Sequence, residues 1–235
     1  MKAQSINDTG RFCDQCHTRY YCIASRLQKD DAKCLGEVMD FGHRVGTHEY
    51  LFAIGDSISH QFHVRSGMFK SYTINTQGDE SVTGFYLPGD VVPNFQTDGC
   101  SLHTVAALEE SSVCYVPVQA EGGISSVWQA LAFQAHEMTS SALTHQLNVK
   151  ATSAQARFAG FCIQMMQRLA KLDRDPTHIP TPMSRTDIAS YLGLTLESLS
   201  RVFARMKRSG VISADRQHIK ITDPATLSTM ALHIS

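Results

Sequence analysis

No stretch of this 235-residue chain approaches the roughly 18 unbroken apolar residues that a membrane-spanning helix needs, which argues against an integral membrane protein. Proline is scarce, at 7 residues, and no internal repeat or low-complexity tract is visible, so collagen-like and disordered chains are excluded. The first dozen residues, Met1 to Phe12, lack the apolar run of a secretory signal, which points to a cytoplasmic protein. What remains is a globular composition, 43% hydrophobic and 18% charged, long enough for one large or two modest domains. Seven cysteines in a reducing compartment are better read as metal or redox groups than as a disulfide framework.

Net charge is also nearly absent, at −1, but that figure conceals an asymmetry. Residues 1–29 carry five bases and two acids, residues 30–145 four and fourteen, and residues 146–235 twelve and six. A split of this size argues for two domains with different partners. The basic final third suits a polyanion such as nucleic acid, although a solvated helical surface gives the same count.

From about residue 45 to 118 short alternating segments, such as Gln61–Val64 and Phe69–Ile74, are separated by turn signals at Gly55-Asp56, Ser66-Gly67, Gly78-Asp79 and Pro88-Gly89-Asp90. That spacing predicts a β-sandwich or barrel. Beyond Gly122-Gly123 the period changes. Ile124, Trp128, Leu131, Ala135, Met138, Ala142, His145 and Val149 form a 4-3-4-3 seam, as in a helix that pairs with another helix. Val127, Phe133, Leu143 and Leu147 lie off that seam, so a second face must also be covered. A further amphipathic helix is expected over 153–172, with Cys162 inside its apolar stripe, and a proline-bearing break follows through Pro182.

Ser184-Arg185-Thr186-Asp187 has the form of a capping box, Gly193 a turn, and Thr195 the cap of a second helix with Leu199, Val202, Phe203 and Met206 inward. Glu197, Ser198, Ser200 and Arg201 then stand outward on the early turns, and Arg205, Lys207 and Arg208 on the later ones. Residues 211–213 and 218–221 flank a polar turn and read as a hairpin wing. Such a winged helix-turn-helix presents the start of its second helix to base edges in the major groove. Arg201 can bond a guanine bidentately and Glu197 can accept from a cytosine amino group, while the later bases neutralise phosphates.

Near the N-terminus Cys13, Cys16 and Cys22 form a C-x2-C-x5-C pattern. Three thiolates this close can surround one metal centre, and soft thiolates select zinc or an iron–sulfur cluster; the spacing leaves both open. With the barrel, the seam helix, the segment Ala107–Cys114 and the segment Tyr191–Arg201, the pattern resembles the CRP/FNR family of bacterial transcription regulators, most of all its oxygen-sensing FNR branch. The resemblance covers nearly the whole chain. It implies an α+β architecture: a cluster segment over 1–34, a jelly-roll sensor over 35–122, a dimerisation helix over 123–150 and a winged helix-turn-helix over 151–235. It implies a [4Fe–4S] cluster on Cys13, Cys16, Cys22 and Cys114 that sustains a DNA-binding homodimer without oxygen. The implied partners are double-stranded DNA bearing a two-fold symmetric operator with TTGAT-like halves, a second copy of the chain, and RNA polymerase at activated promoters. The base-reading Glu, Ser and Arg of the family fall on Glu197, Ser200 and Arg201. Spacing itself does not choose Cys114 over Cys34 or Cys100.

The family's other main branch binds cyclic AMP through an Arg-Ser pair, and residues 99–105 contain no arginine, so no cyclic nucleotide is expected. Members of the FNR branch place an acid at the middle of the seam helix; here Ala142, with Ser140, Ser141 and Thr144 beside it, leaves that centre without a carboxylate. A zinc-stabilised, haem- or small-molecule-responsive regulator on the same scaffold is the alternative function. An enzyme of cupin type is disfavoured because His60, His63 and Glu49 lack the spacing of a catalytic metal set.

Overall fold

A computed structural model of the chain describes residues 16–28, 39–117, 125–151 and 153–231. Two compact units divide it, residues 1–71 with 85–138, and residues 72–84 with 139–235. No helix among the described residues is long and apolar enough to cross a membrane.

The β-rich part of the chain comprises β1 (Asp40–Val45), β2 (Tyr50–Phe52), β3 (His60–Ser66), β4 (Phe69–Ile74), β5 (Glu80–Tyr86), β6 (Val91–Val92), β7 (Gln96–Thr97), β8 (Cys100–Ser101), β9 (Thr104–Ala107) and β10 (Ser111–Pro117), all within the first unit save residues 72–84. They form two four-stranded sheets, ordered β1-β10-β3-β6 and β2-β9-β4-β5, and a small β7-β8 hairpin. Each sheet contributes to one core: Val45, Val64, Val92 and Val113 from the first, Phe52, Phe69, Val105 and Ala107 from the second. The expected turns are present, with Gly55, Gly67, Gly78 and Gly89 all at positive φ, where a Cβ is disfavoured. Cys100, expected in a loop, instead opens β8 as an exposed residue.

Strand periodicity gives β10 two faces. Val113 points into the sandwich, whereas Cys114 and Val116 join a second cluster with Ile23, Met39 and Ala130. Ala130 belongs to the helix α1 (Ser125–Val149), whose Leu131 also packs on that cluster. The predicted seam is only half covered in the single chain: Leu131, Met138, His145 and Val149 are half-buried, Ala135 and Ala142 exposed. On the other face Phe133, Leu143 and Leu147 are 44%, 56% and 61% exposed, so this chain alone covers them only in part. Ile124 lies outside the described residues.

In the second unit α2 (Ala154–Lys171) is capped by Ser153 and buries Phe158, Phe161, Cys162, Met165 and Leu169. The segment read as a proline break contains a strand, β11 (His178–Pro180), which pairs with β13 (His218–Ile221), itself paired with β12 (Ile212–Ala214). β11 is an edge strand, where proline's missing N–H costs the ladder least. A last helix, α5 (Pro224–Ala231), packs on α2 and has no counterpart in the sequence reading. The tip of the β4–β5 hairpin belongs to this unit: Val82 N–H donates to Ser190 Oγ at 3.0 Å, and that hydroxyl donates to Glu80 O at 3.1 Å.

Candidate functional site

Two regions carry the chemistry. In the second unit, α3 (Arg185–Tyr191) opens with the full capping box: Ser184 Oγ accepts from Asp187 N–H at 3.0 Å, and Asp187 Oδ2 accepts from Ser184 N–H at 2.9 Å. It closes on a Schellman motif, with Gly193 N–H donating to Ser190 O and Leu194 N–H to Ala189 O around Gly193 at φ 61°. Thr195 then caps α4 (Leu196–Arg208) by accepting from Ser198 N–H at 3.1 Å. Leu199, Val202, Phe203 and Met206 are buried as expected.

The outward residues differ in freedom. Ser200 is exposed, and Glu197 and Arg201 form an exposed i,i+4 pair. Ser198 is half-buried and accepts a 2.9 Å bond from Thr195 Oγ1, so its hydroxyl is part of the cap. Arg205 donates to Gln155 at 3.4 Å, Lys207 Nζ to the wing carbonyl of Ala214 at 3.3 Å, and Arg208 Nε to Ala204 O at 3.4 Å. All three side chains remain exposed, as phosphate-neutralising groups must be. Sequence reasoning missed Arg157, which donates to the carbonyls of Ala151, Leu192 and Gly193 at 2.9, 3.3 and 3.2 Å and so ties the end of α1 to the turn of the DNA-reading motif.

In the first unit, residues 16–26 wind through successive turns, with Arg19 N–H donating to Cys16 O, Cys22 N–H to Thr18 O and Ser25 N–H to Cys22 O, ending in a 3₁₀ turn at Ile23–Arg26. Ile23 anchors this coil with no exposed surface, a burial worth about 1.5–3 kcal/mol. Cys16, Cys22 and Cys114 consequently line one pocket, together with Thr18, Met39, His63 and Arg65. Cys16 Sγ shares a 3.1 Å hydrogen bond with Thr18 Oγ1, and Cys22 Sγ donates to Arg19 O at 3.8 Å. Burial pushes the Cys22 and Cys114 thiols above the ordinary cysteine range, and the Arg65 guanidinium draws Cys114 back.

Cys13 and Cys34 lie outside the described residues. Among the described residues no group of three or more His, Cys, Asp or Glu side chains stands ready to hold a metal ion. The donor chemistry nevertheless fits a thiolate-ligated group: three soft donors, an apolar lining and a cation within reach of one pocket. Cys162 is wholly buried on α2, where desolvation pushes its thiol far up, and Cys100 is exposed, so neither joins this set.

A β-sandwich followed in sequence by a long helix and a winged helix-turn-helix is the architecture of a DNA-binding transcription regulator. Residues 43–120 match the cyclic nucleotide-binding domain and residues 156–230 the Crp-like helix-turn-helix domain. The chain is 31% identical to the fumarate and nitrate reduction regulatory proteins of Salmonella typhimurium and Escherichia coli, over 94% of its own length and 90% of theirs. It is similar to the solved structure of FixK2 from Bradyrhizobium japonicum, at 26% identity and TM-score 0.69, across 80% of this chain and 96% of that one. The chain belongs to the CRP/FNR family of transcription regulators.

Proposed function

We propose that this chain is an oxygen-responsive regulator whose Cys13, Cys16, Cys22 and Cys114 hold a [4Fe–4S] cluster and whose homodimer binds a two-fold symmetric, FNR-type operator. The observation that carries this reading is the pocket in which Cys114, far away in sequence, joins the neighbouring Cys16 and Cys22. When bound, the cluster supplies an oxygen-labile crosslink between the N-terminal coil and β10. The chain's own residues do the rest. Ile23, Met39 and Phe41 keep the pocket apolar, and Arg65 offsets thiolate charge. Ala130 and Leu131 rest on the same cluster as Cys114, which supports α1 as the element that senses its state. The exposed Phe133, Leu143 and Leu147, with the half-covered seam, offer α1 to a second copy. Glu197, Ser200 and Arg201 read bases; Arg205, Lys207 and Arg208 hold phosphates; Ser198 orients the helix start. The expected division at residues 34, 122 and 150 assigns these roles to successive segments, with RNA polymerase as the downstream partner.

The test is purification without air. The expected product is straw-brown, absorbs broadly near about 400 nm, carries four irons per chain, and binds a TTGAT-type palindrome until exposed to air. A colourless zinc-loaded protein, or one with a sharp haem band, that binds the same DNA regardless of air overturns the reading.

A further inference from the structure

The residue paired directly opposite Cys114 across the sheet is His63 of β3. Opposed residues of an antiparallel pair project from the same face, and both side chains line the thiol pocket with Cys16 and Cys22. His63 is 3% exposed, and neither of its ring nitrogens has a hydrogen-bond partner among the described residues. Buried polar groups are nearly always bonded, and an orphan of this kind marks either an unfilled partner or a functional strain. Packing does not require the imidazole: its neighbour Val64 fills the sandwich core, and an aliphatic chain at position 63 would fill the pocket wall with no polar atom to satisfy.

We propose that His63 donates a ring N–H to sulfur of the thiolate-held group, as a positioning residue that raises the group's electron affinity and slows its loss to oxygen. The proposal rests on the cluster reading above. A cluster's sulfurs are strong acceptors, and a donor aimed at them withdraws electron density and raises the reduction potential. His63 is not proposed as a ligand: four cysteines already suffice for four irons, and no described His/Cys set closes around a metal. Thr18 Oγ1 lies 3.1 Å from Cys16 Sγ and would donate to that sulfur once it is a thiolate, so His63 supplies a second donor, on the Cys114 side of the pocket.

The experiment uses the full chain, reconstituted without air, as wild type, His63→Leu and His63→Gln. The readouts are iron content, reduction potential, rate of bleaching in air, and pulsed EPR of the reduced wild-type cluster. All three proteins are expected to carry four irons. His63→Leu is expected to show a more negative potential and bleaching several-fold faster, His63→Gln to recover toward wild type because its amide keeps a donor, and wild type to show weak ¹⁴N coupling. In cluster-free protein His63→Leu is expected to unfold at higher urea, since it removes an unsatisfied polar group. A fully loaded His63→Leu with wild-type potential and bleaching rate overturns the proposal. So does a wild-type spectrum without ¹⁴N coupling, which needs no variant to fold, and so does strong coupling with iron lost from both variants, the signature of a ligand. A wild-type chain that takes up no iron is a different result, and it removes the cluster reading together with the proposal.

Discussion

Glu197 Oε1 and Arg201 Nη2 lie 2.7 Å apart on the exposed face of α4, one turn separating them. An exposed i,i+4 pair adds only about 0.3–0.5 kcal/mol to stability. Both side chains stay largely exposed, so the pair leaves the guanidinium accessible to a partner. Arg201→Ala is therefore expected to leave the urea midpoint nearly unchanged, yet to cost roughly 1–3 kcal/mol of operator binding and relax preference at one base pair. Lys207→Ala should weaken all sequences alike and flatten the salt dependence. Fluorescence anisotropy on specific and scrambled duplexes separates the two. Equal losses on both duplexes for Arg201→Ala would count against base reading.

Cys114→Ser is expected to abolish iron loading, as are the same changes at Cys13, Cys16 and Cys22, because a hydroxyl is a poor ligand for soft iron. Cys34→Ser, Cys100→Ser and Cys162→Ala are expected to keep four irons. Iron content and visible absorption of anaerobically purified variants decide the matter, and loss of the cluster on Cys100→Ser with retention on Cys114→Ser reverses the assignment.

The seam of α1 has no acid at its centre, and Ala142 is exposed in the single chain. Cluster-free wild type should retain more dimer than Ala142→Asp, in which like charges meet across the two-fold axis. Sedimentation at matched concentration and salt reads this directly; a wholly monomeric cluster-free wild type assigns the opposition to dimerisation elsewhere.

The turn of the DNA-reading motif depends on Gly193 at φ 61°. A Cβ there would meet Arg157 Nη1 and Val149 Cγ1 only at 3.5 Å, so the obstacle is conformational and not steric crowding. Gly193→Ala is expected to cost about 1–2 kcal/mol in urea unfolding, and Gly193→Asn less, because asparagine tolerates the left-handed region. Equal stability of the alanine variant and wild type would contradict the strained geometry.

Much of this arrangement is legible in the sequence because it rests on local signals. The capping box at Ser184, the glycines at 55, 67, 78 and 89, and the stripe of α4 each declare themselves within a few residues. What sequence does not disclose depends on register and distant pairing. β11 is three residues long and exists only because β13 lies beside it. Arg157 acquires its role from carbonyls 35 and 36 residues further on. In the sequence His63 reads only as one of a loose set with His60 and Glu49, and its place opposite Cys114 is fixed by a strand pairing that no local pattern encodes. The period of α1 marks a helix with two apolar faces but not which face its own chain covers.

Acid should weaken the cluster-free fold through its buried histidines. Burial lowers His63 from 6.5 to about 4, and the same cause lowers His103 and His145. The unfolded chain takes up protons as pH falls below about 6.5, while the folded His63 resists until about 4. This stability is whole above the unfolded value and is lost as pH falls through that window, on the order of 3 kcal/mol for His63. Urea midpoints at about pH 7.5 and pH 5, where most carboxylates stay ionised, should differ in wild type and differ less in His63→Leu. An unchanged difference would place the titrating group elsewhere.

Arg26 closes the thiol-bearing coil, and its guanidinium lies 3.7 Å over the ring of Phe133 and 3.0 Å from the carboxylate of Glu137, both on α1. Arg26 thus fastens the coil to the helix, beside the packing of Ile23 and Leu27 with Ala130 and Leu131. Thermodynamic linkage through such a fastener is reciprocal. If disturbing the thiols unseats α1, then holding α1 in its seat must shelter the thiols to the same degree in free energy. On the cluster reading, operator occupancy that favours that seat would strengthen the equilibrium hold on the thiol-bound group by the same free energy, so the DNA-bound chain is the form that keeps its cofactor most tightly.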